Sequence, residues 1–255
     1  MNITPLAPRN FLLAGLSKKD SVLLAGLETV GLEARQILEA PGIEIPYVYF
    51  VESGLVSVVG TSHPNHRIEV AMVGFEGMSG AAVVLGADRS ANESIVQSRG
   101  EARRIATGDL MHALGASPSM REAFLRYVHV FTMQCSQTAL ANGRGNLQER
   151  LARWIVMWQD RLQADDITVT HQFLSLLLGV RRAGVTGAIH LLESKSLIRA
   201  SRALITILDR EGLLRAANGF YGVAEAEYER LVGRLPVPVA SAAWSGSDFF
   251  WPYGR

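Results

Sequence analysis

Cysteine is nearly absent from this chain: Cys135 is the only one in 255 residues. That excludes an intramolecular disulfide, a thiolate zinc cluster and a four-cysteine iron–sulfur site. Long apolar runs are missing too, and none reaches the roughly 18 residues needed to cross a bilayer, so no membrane partner is expected. The opening MNITPLAPRNFLLAGLSKKD has no basic segment followed by a long apolar stretch. No signal peptide is expected and the cytoplasm is the expected compartment. Catalytic grammar is equally scarce: there is no P-loop, no metal-ligand spacing, no nucleophile elbow and no paired carboxylates. The expectation is a protein that is not an enzyme and takes no metal or cofactor.

What is present is an ordinary globular composition, with 48% hydrophobic and 19% charged residues, over a length comfortable for two domains. The net charge of +1 hides an asymmetry. Residues 1–116 carry 9 Lys/Arg against 12 Asp/Glu, whereas residues 142–220 carry 11 against 7. An acidic front and a basic back point to an anionic partner for the back half. The excess is sharpest over residues 171–205, where Arg181, Arg182, Lys195, Arg199 and Arg202 face Glu193 alone.

The organisation changes along the chain. Residues 11–34 read as one or two short helices with Ser17 as a cap. From about 35 to 108 the alternation is that of strands: YVYFVESGLVSVV carries Glu52-Ser53-Gly54 as an expected hairpin turn, and HRIEVAMVG and ESIVQSRGEARRI follow the same pattern. Several short strands predict a small antiparallel barrel or jelly roll. From Ser119 to Ala141 the period becomes helical. Met120, Phe124, Val128, Phe131, Cys135 and Ala139 recur every three or four residues, a spacing that favours a coiled-coil seam between two copies over a single long core helix packed on the barrel. Asn142-Gly143 and Gly145 mark a break, and Leu147, Leu151, Trp154, Ile155 and Trp158 form a second helical stripe. After residue 220 the pattern fades into RLPVPVASAAWSGSDFFWPYGR, a stretch expected to be loosely ordered.

The segment HQFLSLLLGVRRAGVTGAIHLLESKSLI reads as two helices. Thr170 caps the first, His171 and Gln172 fill its opening turn, and Gly179 ends it, as a residue that tolerates positive φ. The second buries Val185, Ile189 and Leu192 and presents Ala183, Gly187, His190 and Ser194, with Thr186 on the flank. That is helix-turn-helix grammar. A recognition helix enters the DNA major groove N-terminus first. There Arg182 can donate two hydrogen bonds to O6 and N7 of guanine, Arg181 can take a phosphate or a base, and Thr186 a phosphate or a thymine methyl. The small Ala183 and Gly187 permit close approach. SLIRASRALITILDREGL then reads as a two-stranded wing, with Arg199, Ser201 and Arg202 placed to meet phosphates.

These motifs resemble the Crp–Fnr family of bacterial transcription regulators over roughly residues 10–218. NLQERLARWIVMW resembles the helix that enters the family's DNA-binding domain, the helix-turn-helix and ALITILDREGL its winged motif, and GFEGMSGAAVVLGADRSA its cyclic-nucleotide-binding β-roll. The resemblance implies an α+β chain: a jelly-roll or β-roll sensor domain at 10–117, a dimerisation helix at 118–142, a winged helix-turn-helix domain at 143–220 and a tail at 221–255. It also implies a homodimer on an inverted-repeat operator in double-stranded DNA, RNA polymerase as a further partner, and an effector held in the roll. Nucleotide-binding members carry a Gly-Glu-Leu segment whose carboxylate holds the ribose. Gly77-Met78-Ser79 stands there without one, while Arg89-Ser90-Ala91 matches the family's phosphate-binding segment after a loop one residue longer. These six residues are the candidate effector contacts, and an effector other than cyclic AMP, or none, is expected. Residues 1–40 lack the cysteine cluster of the oxygen-sensing branch, and His63, His66, His112 and His129 stand in no haem-type setting. The recognition helix has Ala183 and Gly187 where the family often has Glu and Arg, so a different operator is expected. The alternative is a small-molecule sensor that acts through protein partners and has lost DNA reading.

Overall fold

The computed structural model describes residues 8–63 and 66–235. Two short helices open it, α1 (Phe11–Ala14) and α2 (Lys18–Leu23), the second capped by Ser17, whose hydroxyl accepts from the Asp20 amide. Strands β1 (Glu28–Leu32), β2 (Ile37–Glu39), β3 (Tyr47–His63) and β4 (His66–Val73) follow, then α3 (Ala81–Val84) and β5 (Glu93–Ala106). The sheet runs β1-β5-β3-β4 with β2 also on β5, all antiparallel. Alternating apolar residues of these strands (Tyr49, Val51, Val56, Val58, Ala71, Val73, Val96, Ala102) fill the roll. Residues 28–32, read from sequence as helix, are β1, because Val30 and its neighbours pair with Glu101–Arg104 of β5.

The expected hairpin at Glu52-Ser53-Gly54 does not form. β3 passes straight through it, and the register slips between Val51 and Leu55 against β5, which marks a bulge. Gly54 has φ of +86°. A Cβ there would sit 2.6 Å from the Ser98 carbonyl oxygen, so both space and backbone require glycine.

Helix α4 (Thr107–Ala116) leads into α5 (Pro118–Arg144), about 40 Å long at 1.5 Å per residue. The stripe read as a dimer seam proves to belong mainly to the protomer's own core. Met120 and Phe124 are fully buried and Val128 nearly so, packed on Phe50, Met78 and Leu110. Phe131 and Cys135 are half-buried against the roll, and only Ala139 is exposed. Periodicity located the helix but could not say that the roll, rather than a second copy, covers that face. The adjoining face, which shares Ala139 with that stripe, carries Glu122, Leu125, His129, Thr132, Ser136 and Gly143, all exposed and, with Ala139, spaced alternately by three and four.

The C-terminal part comprises α6 (Leu147–Leu162), β6 (Asp166–Thr168), α7 (His171–Leu177), α8 (Arg182–Ser194), β7 (Ile198–Ser201), β8 (Leu204–Ile207), α9 (Arg210–Ala216) and α10 (Val223–Leu231). A capping box, Asn146 with Glu149, starts α6 after the break at Gly145. The strands order β6-β8-β7. Leu151, Ile155, Leu174, Val185, Ile189 and Ile205 make the core of this domain, and Leu55 and Met72 of the roll join it.

Residues 221–235 are not the expected loose tail. Helix α10 packs back on α5, where the Tyr228 hydroxyl donates to the Glu76 carbonyl at 2.6 Å and Glu227 lies 3.0 Å from His129. Ala224, Tyr228 and Leu231 supply its inward face, a 4,3 spacing readable from VAEAEYERL. The remainder of that stretch, residues 236–255 with its aromatics, lies outside the described residues.

Candidate nucleic-acid interface

The helix pair at residues 171–194 is built as its residues dictate. The Thr170 hydroxyl accepts from the Phe173 amide and starts α7; Gly179, at φ of +62°, ends it. Arg181 then occupies the N-cap of α8 in extended conformation. Val185, Ala188, Ile189 and Leu192 anchor α8 inward, and its outer face shows Arg181, Arg182, Ala183, Gly187, His190 and Ser194 to solvent. Arg181 and Arg182 have no carboxylate within ion-pair distance among the described residues. A Cβ on Gly187 would meet nothing within 4 Å, so that face stays open to a partner.

His171 and Thr186 come together across the pair, Nδ1 to Oγ1 at 3.0 Å, and the Thr186 hydroxyl also donates to the Arg182 carbonyl. Both residues therefore brace the two helices, and Thr186 has less freedom to meet a base than its position on the flank suggested. Gln172 is exposed in the first turn of α7. The wing turns at Arg202-Ala203, with Ala203 at φ of +57°. Arg199, Ser201 and Arg202 are exposed there, and their strands are held by register pairs Arg199 to Thr206 and Ser201 to Leu204. Glu193, the one acid nearby, is engaged: its carboxylate accepts the Ala200 amide at 2.7 Å and lies 3.4 Å from His190. The start of α8 with Arg181 and Arg182, and the wing with Arg199 and Arg202, are thus both open to solvent.

The candidate effector residues divide. Met78 and Ser79 are sealed inside: the Met78 backbone bonds in both directions with the Tyr127 hydroxyl, and Ser79 Oγ accepts the Tyr49 amide. At Gly77 a Cβ would strike the Tyr127 hydroxyl at 2.3 Å. Arg89 lies out on the surface, donating to the Gly42 carbonyl at 3.1 Å and 3.4 Å from Asp88, with Ala91 exposed beside it. Gly77-Met78-Ser79 is thus backed by Tyr127, whereas Arg89 lies out on the surface.

Sequence reasoning missed the joint between the two domains. Arg161 pairs with Glu76 at 2.8 Å, each side chain 8% exposed. Trp154 Nε1 donates to Glu69 at 2.8 Å, and Trp158 Nε1 to Gln97 at 3.3 Å. Burial raises Glu69 to about 7, against hydrogen bonds from Ser57 and Trp154 that lower it. The available signal was Glu69 itself, which alternation in RIEVAMV puts on the same inward face as Ala71 and Val73.

Residues 149–216 match the family model of the Crp-like helix-turn-helix domain. No curated protein sequence matches the chain. Among solved structures, one described as a Crp/Fnr-family transcriptional regulator from Eubacterium rectale superposes with a TM-score of 0.65 at 15% identity, covering 82% of this chain and 98% of that one. A CRP-family regulator from Thermus thermophilus gives 0.61 at 18%, covering 74% and 97%. The c-di-GMP-responsive global regulator CLP of Xanthomonas campestris gives 0.60 at 16%, covering 75% and 99%. The chain shares their fold, a β-roll followed by a helix-turn-helix domain.

Proposed function

We propose that the chain is a transcription regulator of the Crp–Fnr type that binds an inverted-repeat operator in duplex DNA as a homodimer, a reading supported by its Crp-like helix-turn-helix domain and its fold. The observation that carries this reading is the exposed Arg181 and Arg182 at the start of α8, without a carboxylate at ion-pair distance among the described residues, together with the exposed Arg199 and Arg202 of the wing. Arg182 reads a base edge from the major groove, Arg181 and the wing take phosphates, and Thr170, Gln172 and His190 flank the groove. The dimer forms through the outer face of α5, where Leu125, Thr132, Ser136, Ala139 and Gly143 keep the 3,4 spacing that lets two helices pack along their length. In that dimer the half-sites lie about 34 Å apart, one turn of duplex.

The same reading takes an effector other than cyclic AMP, or none, which is supported by the lack of a carboxylate in Gly77-Met78-Ser79 and by Tyr127 packed against it. Selection of bound sites from random duplex DNA, followed by anisotropy titrations across salt, tests the proposal. The expected result is a defined palindrome and a log affinity that falls linearly with log salt. No affinity for any duplex at low salt would remove it and leave the protein-partner reading.

A further inference from the structure

Two carboxylates of the roll, Glu76 and Glu69, meet α6 across the domain joint, and their surroundings differ. Glu76 has Arg161 at 2.8 Å. Glu69 is 6% exposed, and among the described residues its hydrogen bonds come only from neutral donors. These are Trp154 Nε1 at 2.8 Å, the Ser57 hydroxyl and Gln97 Nε2 at 3.4 Å. Gln97 in turn accepts from Trp158 Nε1 at 3.3 Å, so one network ties both tryptophans of α6 to the roll.

The other groups around Glu69 decide which form its carboxyl takes. Arg150, Arg153 and Arg161 of α6 are the nearby cations. Arg153 and Arg161 favour the charged form from beyond ion-pair distance, and Glu225 of α10 competes for Arg153. Arg67, on the same strand as Glu69, is engaged by Glu93. The end of α5 presents Thr138 and Asn142, and the end of α7 Leu177 and Leu178, all uncharged. Burial outweighs the attractions and holds the carboxyl near 7. The network accommodates a proton: Oε2 can donate to Ser57 Oγ while Oε1 still accepts from Trp154. A pocket of roughly 20 Å³ beside the carboxyl has room for one or two waters, through which the proton can exchange.

The position gives that proton leverage. Ile68, the preceding residue, packs under the turn between α7 and α8, where a Cβ on Gly179 would sit 3.0 Å from its Cδ1. Helix α8 shares its core with α6, Val185 and Ile189 with Leu151 and Ile155. Whatever holds α6 to the roll therefore also holds α8.

We propose that Glu69 is a proton-operated latch between the domains: carrying its proton it holds α6 and the helix-turn-helix against the roll, and without the proton that seating loosens. Solvation sets the direction. Once Trp154 moves away the carboxyl meets water and returns to its ordinary range, so loss of the proton favours the loosened joint and rising pH drives it. The latch adds control to the DNA-binding reading and does not depend on it.

The test uses the full chain carrying Trp244→Phe and Trp251→Phe, which leaves Trp154 and Trp158 as its only tryptophans. Acrylamide quenching of their fluorescence is followed from mildly acid to mildly alkaline pH. The expected result is a quenching constant that rises about twofold or more in a one-proton transition centred near pH 7. Infrared difference spectra of the same protein should lose a protonated-carboxyl band with the same midpoint. Glu69→Gln, neutral at every pH and still able to accept from Trp154, should keep the low quenching of the acid form throughout. The infrared band is read without that variant, so the proposal stays open to refutation if Glu69→Gln fails to fold. Neither readout involves DNA, so a failure of the DNA-binding reading is distinguishable from a failure of the latch. Quenching that does not change with pH, a folded Glu69→Gln protein that titrates like its parent, or the lack of a protonated carboxyl at mildly acid pH would each overturn the proposal.

Discussion

Arg150, Arg153, Arg161 and Arg210 stand inside the molecule; Arg181, Arg182, Arg199 and Arg202 stand outside it, on the same C-terminal domain. The inner set works on the protein itself. Arg161 clasps Glu76 across the domain boundary, and Arg210 ties α9 to Asp160 of α6 at 2.7 Å, where the Tyr221 hydroxyl joins the same carboxylate at 2.5 Å. The outer set is exposed and has no carboxylate at ion-pair distance among the described residues, so its charge is available to a partner. One side-chain type therefore serves two purposes, decided by whether an acceptor of this chain, a carboxylate for Arg161 and Arg210 or a carbonyl for Arg150 and Arg153, lies beside it. The contrast also teaches where mutations will be felt: inner changes should appear in stability, and outer ones in affinity and salt response.

The largest effect that would break this contrast is at the clasp. Glu76→Ala leaves the Arg161 charge buried and unpaired, and should lower unfolding stability by about 3–5 kcal/mol in urea titrations, with Arg182→Ala within about 0.5 kcal/mol of the parent. Equal effects would erase the distinction. Next is pH. Glu69 is held near 7 in the folded chain against 4.5 as its ordinary value, so the folded state binds the extra proton between those limits. Its contribution is fully present below about pH 4.5 and lost as pH rises through about 7, a swing of about 3 kcal/mol. Glu69→Gln, which can still accept from Trp154, should flatten that slope and raise stability at pH 8; an unchanged profile would place the titration elsewhere.

Smaller effects sharpen the outer half. Arg182→Ala should cost about 1–3 kcal/mol of DNA affinity and relax one base position in site selection. Uniform loss on all sequences would assign Arg182 to the backbone instead. Tyr228→Phe removes the bond to the Glu76 carbonyl and should cost about 1 kcal/mol of stability by thermal or urea unfolding. Arg202→Ala should reduce the slope of log affinity against log salt by about 1 while leaving base preference intact.

The helix-turn-helix was legible because every local signal agreed: a threonine cap, a glycine where φ must be positive, and Val185, Ile189 and Leu192 in step. The β-roll was legible in its alternation. The Glu52-Ser53-Gly54 turn was not, since a hairpin and a bulge ask for the same positive-φ glycine, and only pairing with Ser98 and its neighbours decides between them. The seam failed for a related reason. A helical period shows which residues share a face, while the identity of what covers that face depends on elements distant in sequence, here Phe50 and Leu110. The clasp is harder still: Glu76 and Arg161 are 85 positions apart, and nothing in either neighbourhood names the other. Yet a carboxylate at an inward position of β4 was visible, and so was the apolar spacing of α10.

The return of α10 has a mechanical consequence. The helix-turn-helix domain is moored at its beginning by the run of α5 into α6 and at its end by Tyr228 and Glu227 against the body of the molecule. Between these two moorings the Arg161–Glu76 clasp and the Trp154–Glu69 bond make further attachments. Any reorientation of the domain must therefore break that buried ion pair as well as unseat the chain's last described helix.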